Sequence, residues 1–192
     1  MGFFNWSAPL MHRFGQRWTA EDAGVIAGWL EPHFTDGGQI LDVGGGSGGL
    51  ATRLADHTGR PVTVLDPTPE LLARLPLRPD VTGVLGTAQK MPFSNDTFDV
   101  AVVTDAFHHF AEQGAAVREM RRVVRCGGGV LVLEIDPSGW LRLLVWGEKL
   151  LGEPAAFMKP AEMCAFMSAH GIEGRCERTK GASYRFLGVV QE

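Results

Sequence analysis

The run Ile40-Leu41-Asp42-Val43-Gly44-Gly45-Gly46-Ser47-Gly48-Gly49-Leu50-Ala51 limits the fold more than any other part of the chain. Residues 39 to 43 are apolar enough, and few enough, for a short buried strand, and residues 48 to 57 (GGLATRLADH) read as a helix. A buried strand that passes through a glycine turn into a helix is half of a β-α-β unit. In an open parallel sheet, ligands bind outside the carboxyl ends of the strands, where this loop falls. Glycines at 44, 46 and 48 permit tight turning and let a ligand approach the main chain with no Cβ between them.

The same alternation continues along the chain. Strands are expected at 61–65, 81–85, 98–103 and 129–134, with helices near 68–75 and at 111–125. These strands are apolar on both faces, as in a parallel sheet covered on both sides. A helix is expected at 19–34, with Thr19 as its cap, Glu21 and Asp22 in its first turn, and Val25, Ile26, Trp29 and Leu30 on one face. After Pro137 the pattern changes: 139–152 is apolar and aromatic, 160–170 is helical, and 172–178 and 184–190 are strands. The last two are joined by TKGAS, too short for a parallel crossover, so they pair antiparallel. The expected fold is therefore α/β: a doubly wound, mostly parallel seven-stranded sheet with a C-terminal antiparallel hairpin. For 192 residues this reads as a single domain, with a helical cap at 1–36, a binding core at 37–136, a variable cap at 137–171 and the hairpin at 172–192.

Composition excludes several function classes. With 18 basic against 22 acidic residues the net charge is −4, which argues against generic nucleic-acid binding. Arg118, Arg122 and Arg125 are read as one solvated helix face. Cys126, Cys164 and Cys176 have no C-x-x-C spacing, so neither a disulfide framework nor a four-cysteine zinc module is expected, and the thiols read as buried or incidental. No metal site is expected. The N-terminus, MGFFNWSAPLMHRFGQRW, lacks a signal-peptide pattern, and no apolar run has bilayer length, so a cytoplasmic location is expected.

Gly44, Gly46 and Gly49 satisfy G-x-G-x-x-G, which admits a dinucleotide and hence an NAD(P)-dependent oxidoreductase. Asp42, two residues before the first loop glycine, favours a cationic ligand over a pyrophosphate. Asp66 ends the next strand, where a carboxylate accepts both hydroxyls of a ribose. An adenosine that carries an ammonium and a sulfonium, and no phosphate, fits both acids.

With these residues in place, the sequence resembles the class I S-adenosylmethionine-dependent methyltransferases over about residues 36–136. The resemblance is strongest to the small-molecule group that includes the ubiquinone and menaquinone biosynthesis methyltransferases. Residues 42 to 48 match that family's D-x-G-x-G-x-G motif, and Asp66 its ribose-binding acid. GTAQKMPFSNDTFDVAVVTDAFHHF (86–110) is similar to its adenine-to-fourth-strand segment, and RRVVRCGGGVLVLEI (121–135) to its helix, glycine turn and fifth strand.

The resemblance implies a Rossmann-like fold and S-adenosylmethionine as cofactor. It implies that Gly44, Gly45 and Gly46, with Gly48 and Pro67 nearby, line the methionine and ribose part. Ala88 and Gln89 would border the adenine, and Thr104 would approach the aminoacyl group. Thr87 stands where the family often has an acid that accepts the adenine amino group; a hydroxyl accepts without charge assistance. His108 and His109, beyond strand four, are the candidate bases for an acceptor that must lose a proton.

Phe3, Phe4, Trp6, Trp18, Trp140, Trp146 and Phe157 fall in the variable segments and suggest an apolar or aromatic acceptor pocket, with a homodimer surface as the alternative use. The expected partner is a small-molecule methyl acceptor. Docking of 139–151 at a membrane interface is a further use, for which Arg142 and Lys149 alone make a poor electrostatic anchor, and stable membrane insertion is not expected because no apolar run has bilayer length. A noncatalytic S-adenosylmethionine-binding protein is the second alternative.

Overall fold

The computed structural model describes residues 18–138, 156–179 and 181–192. Phe3, Phe4, Trp6, Trp140, Trp146 and the apolar run 139–152 lie outside the described residues.

The elements follow in the order α1 (Ala20–Leu30), β1 (Ile40–Val43), α2 (Gly49–Thr58), β2 (Val62–Asp66), α3 (Pro69–Leu72), β3 (Val81–Leu85) and β4 (Phe98–Thr104). They continue with α4 (Gln113–Val123), β5 (Val124–Ile135), α5 (Pro160–Ser168), β6 (Ile172–Arg178) and β7 (Ser183–Val190). The strands form one seven-stranded sheet in the order β3-β2-β1-β4-β5-β7-β6. Strands β1 to β5 run parallel, and β7 lies antiparallel between β5 and β6. This is the expected doubly wound sheet with its terminal hairpin.

Strands β1, β2 and β4 are buried on both faces, whereas β3, expected to be the same, leaves Thr82, Gly83 and Leu85 exposed at the edge of the sheet. Val100 and Val102 of β4 join Ile26, Leu30, Leu50 and Leu54 under α1 and α2, while Ala101 and Val103 join Met120 and Met163 under α4 and α5. Burying a side chain such as Val102 contributes roughly 2 kcal/mol. Strand order reverses between β1 and β4, which places the loops after these two strands side by side at the switch point of the sheet.

At the opposite end, Asp99 ties β4 to the entry of β1. It accepts the Thr35 amide at 2.7 Å, the Thr35 hydroxyl at 2.6 Å, the Gln39 amide at 3.1 Å and Arg125 Nε at 3.0 Å. Burial opposes its charge, yet these donors together hold the carboxyl below its ordinary range. A Cβ on Gly38 would lie 2.6 Å from Asp99 Cγ, so only glycine fits there.

Thr19 caps α1, as expected, and Asp22 closes a reciprocal box with it. The buried face differs in detail: Ala23, Ile26, Ala27 and Leu30 pack inward, while Val25 is 47 % exposed and Trp29 is partly buried beneath the Arg185 guanidinium.

The junction of α4 and β5 departs more from expectation. The helix stops at Val123 and the strand starts at Val124, five residues before the glycine run ends. Val124 pairs with Phe98 and Gly129 with Val100, so residues 125 to 128 bulge from the ladder. Gly127 has φ +74°, and a Cβ on Gly128 would lie 2.5 Å from the Asp99 carbonyl. The glycines form a bulge within the strand rather than a turn before it.

Two of the three arginines also differ from a solvated face. Arg122 donates to the carbonyls of Phe93 at 2.7 Å and Met91 at 3.0 Å, and pairs with Glu119, which accepts the Met91 amide at 2.7 Å. Arg125 belongs to β5 and holds Asp99. Both tie segments of the fold together, because their guanidinium forks meet carbonyls and carboxylates presented by neighbouring loops.

Candidate active site

The loop after β1 lies over its own strand's acid. The Asp42 carboxyl is buried, and neither oxygen has a hydrogen-bond partner among the described residues. A Cβ on Gly45 would lie 2.5 Å from Asp42 Oδ2, so the loop rests directly on the carboxylate and any side chain at 45 would collide with it. Burial, and secondarily the charge of Asp66, push the Asp42 carboxyl up to about 7. An orphaned buried carboxylate is costly, and a cation or hydrogen-bond donor brought to the loop relieves that cost.

Asp66, at the end of β2, holds the same loop from the side. Its Oδ2 accepts the Gly46 amide at 2.9 Å and its Oδ1 accepts the Thr68 amide at 2.8 Å. Burial raises its pKa, while the Thr68 and Gly46 bonds lower it, and the net direction is upward. The two amides leave further lone pairs on the carboxylate for a diol. Pro67 beside it is exposed and Thr68 is buried.

Gly44 closes the third side. It has φ +74°, its amide donates to Leu65 O at 2.7 Å, and a Cβ there would lie 2.8 Å from the Cβ of Ala106. Loops β1–α2 and β4–α4 therefore touch main chain to side chain, as glycine alone permits. Gly46 and Gly48 also have positive φ, +57° and +73°, and α2 begins immediately after Gly48.

The segment expected to border the adenine, residues 87 to 89, follows Gly86, whose amide donates to Asp66 O at 3.2 Å. Thr87 and Lys90 then close a tight turn, with Thr87 exposed, Ala88 buried and Gln89 half-buried. The Glu119–Arg122 pair fixes the segment that follows, residues 91 to 93. Thr104, half-buried, ends β4 beside Leu133.

His108 and His109 sit in a 3-10 turn, Phe107–His109, with their rings 4.0 Å apart. His108 is 5 % exposed and clamped: Nδ1 lies 2.8 Å from Glu134 Oε2, its amide donates to Glu134 Oε1 at 3.3 Å, and Phe157 stacks on its ring at 4.0 Å. The Ala156 amide donates to His108 O at 3.0 Å, which ties residues 156 and 157 to this turn. Burial, then the His108 charge, lower the His109 pKa to about 4, so its ring is neutral near pH 7.

Glu134 is the residue that sequence reasoning did not single out. The available signal was an acid in the otherwise apolar strand LVLEI, buried with no reason to be there except a partner. Of the two described aromatics expected at the acceptor site, Phe157 is at the His pair. Trp18 instead lines a groove of about 710 Å³ with Val25, Trp29, Leu133 and Arg185, to which no glycine-loop residue contributes.

The buried acid under a glycine loop, the diol-ready carboxylate 20 residues after Gly46 and the switch-point location suit a cofactor with an ammonium and a ribose. Comparisons with known proteins agree. The model of the methyltransferase domain family matches residues 41–132. An uncharacterised methyltransferase of Mycobacterium tuberculosis is 34% identical over 120 residues, 60% of this chain and 48% of that protein. The ubiquinone/menaquinone biosynthesis C-methyltransferase of Cupriavidus necator is 32% identical over 171 residues, 79% of this chain and 66% of that protein.

In a solved complex between the Haloferax volcanii Trm112 methyltransferase activator and a methyltransferase, one chain superposes with a TM-score of 0.83 at 16% identity, covering 100% of this chain and 99% of that one. This likeness concerns the fold. The chain belongs to the class I S-adenosylmethionine-dependent methyltransferases, whose cofactor is S-adenosylmethionine. It spans about half the length of the mycobacterial relative.

Proposed function

We propose that the chain transfers the methyl group of S-adenosylmethionine to a small hydrophobic or aromatic molecule, releases S-adenosylhomocysteine, and takes a phenolic or quinol ring as its acceptor. The observation that carries the reading is the unpartnered Asp42 carboxylate under Gly45, beside an Asp66 that grips Gly46. The acceptor class is supported by the 32% identity to a quinone-pathway C-methyltransferase and by the aromatic ring of Phe157 on His108.

When bound, S-adenosylmethionine supplies a methyl group on a cationic sulfur, and transfer then needs an acceptor held in line with water excluded. Asp42 supplies the negative charge that the aminoacyl ammonium and the sulfonium favour. Asp66 accepts the ribose hydroxyls, Ala88 and Gln89 flank the adenine, and the Thr87 hydroxyl accepts from its amino group. Gly44, Gly45, Gly46 and Gly48 keep side chains out of the cofactor's way, and Thr104 borders the aminoacyl end.

Glu134 accepts a hydrogen bond from Nδ1–H of His108, which leaves the Nε2 lone pair to receive a proton from a phenolic acceptor. His109, neutral, adds bulk to the same wall. The reading places the enzyme in the cytoplasm; among the described residues no helix is long and apolar enough to cross a membrane.

The test is release of S-adenosylhomocysteine from S-adenosylmethionine with a panel of catechols, quinol precursors and aliphatic amines. Turnover with ring substrates alone is expected. Turnover with amines alone would overturn the acceptor class. Cofactor binding with no turnover on any compound would favour a noncatalytic S-adenosylmethionine-binding protein.

A further inference from the structure

Two of the three cysteines meet in the fold although no sequence motif pairs them. Cys164 lies on α5 and Cys176 on β6, and their sulfur atoms are 2.7 Å apart. Both side chains are half-buried, so a small reagent can reach the pair, whereas Cys126 is exposed on the bulge of β5. The Cys176 thiol also lies 3.0 Å from the Pro160 carbonyl, at the first residue of α5.

Among the described residues β6 is an edge strand, paired only with β7, and α5 packs on it. The two sulfurs thus join the last helix to the free edge of the sheet. The sulfurs of a disulfide lie about 2 Å apart, so from the observed 2.7 Å contact they need approach by less than about 1 Å.

We propose that Cys164 and Cys176 are an oxidisable dithiol, a modification site that closes reversibly into an intramolecular disulfide on reaction with a small-molecule disulfide such as oxidised glutathione. Two S–H bonds break and one S–S bond forms in the protein. The two electrons and two protons pass to the incoming disulfide, which leaves as two thiols. Burial, then its hydrogen bond to Cys164, push the Cys176 thiol above its ordinary range. The first attack therefore falls to the helix sulfur, and Cys176, already in contact with it, resolves the mixed disulfide.

The modification has a path to the active-site turn. Oxidation removes the hydrogen that Cys176 offers to Pro160 O, at the root of the segment where Tyr184 Oη donates to Met158 O at 2.9 Å and Phe157 stacks on His108.

The experiment treats the full chain with oxidised glutathione and alkylates it under denaturing conditions before mass spectrometry. One alkylated thiol of the three, Cys126, is expected, with a monomer lighter by two hydrogens and a peptide cross-linked between 164 and 176 that dithiothreitol releases. The oxidised chain should melt higher by about 5 °C, a shift absent from Cys164→Ser and Cys176→Ser. Three alkylated thiols, a glutathione adduct that persists on Cys164, a disulfide that includes Cys126, or the same melting shift in both serine variants would each overturn the proposal.

Discussion

The imidazole of His108 is held by Glu134, with Nδ1 2.8 Å from Oε2 and both side chains buried. His108 lies in the 3-10 turn that follows β4 and Glu134 near the end of the neighbouring β5, and the carboxylate also accepts the His108 amide. One carboxylate therefore fixes both the ring and the turn that carries it, and Nε2 is the remaining basic atom.

Glu134→Gln keeps the size of the side chain and removes its charge. Turnover on a phenolic acceptor should fall by at least about tenfold, while S-adenosylmethionine affinity, measured by calorimetry, stays within twofold. Loss of affinity in step with turnover would mean that Glu134 supports the cofactor pocket instead.

Asp42 sets a pH dependence. Its carboxyl, pushed up to about 7, is ionised more fully when a cation sits over the loop, so binding S-adenosylmethionine releases a proton and affinity rises as the pH climbs from 6 to 8. In the free protein the sign is opposite. The protonated buried form favours the fold, fully below the ordinary 3.8, and that contribution is lost as pH rises through about 7. Asp42→Asn should flatten both profiles, strengthen the free protein at pH 8 and weaken cofactor binding. An unchanged affinity profile in this variant would remove Asp42 from the site.

Asp66→Ala removes the acceptor for the Gly46 and Thr68 amides as well as the partner for the ribose diol. Cofactor affinity should drop by on the order of 2 to 4 kcal/mol. A loss confined to thermal stability, with affinity intact, would restrict Asp66 to a loop-holding role.

Gly44→Ala places a methyl group 2.8 Å from the Ala106 Cβ at φ +74°. The loops after β1 and β4 must separate, and binding should weaken by roughly 1 to 3 kcal/mol. Gly59→Ala is the control, since its φ of +67° imposes similar backbone strain with open space around it, away from the cofactor. Equal effects of the two on cofactor affinity would contradict a role for the close approach at Gly44.

His109 controls acid stability. Its pKa is lowered to about 4 from 6.5, so the neutral ring favours the fold fully above 6.5, and this contribution is lost as pH falls through about 4. Melting temperature should decline across that window and decline less in His109→Gln; parallel curves for the two proteins would place the acid sensitivity elsewhere.

Much of the scaffold was legible because its signals are local. Strand β1 reads as apolar apart from Asp42, the glycines from Gly44 to Gly49 break it, and Thr19 before an acidic first turn marks a helix cap. The α4–β5 boundary was not legible, since Val123 ends the helical stripe and Val124 begins the strand without an intervening turn, and a glycine run looks alike in a bulge and in a turn. Glu134 and Cys176 escaped for a shared reason. Their partners, 26 and 12 residues away, are chosen by which strand and helix pack together, and no spacing rule encodes that.

The loop from Gly44 to Gly48 is proposed to hold S-adenosylmethionine between Asp42 and Asp66. Calorimetric titration of the full chain with S-adenosylmethionine and S-adenosylhomocysteine, with NAD alongside, checks this assignment. Micromolar binding of the first two and no heat from NAD is the predicted result; heat from NAD with silence from both adenosyl ligands would contradict it.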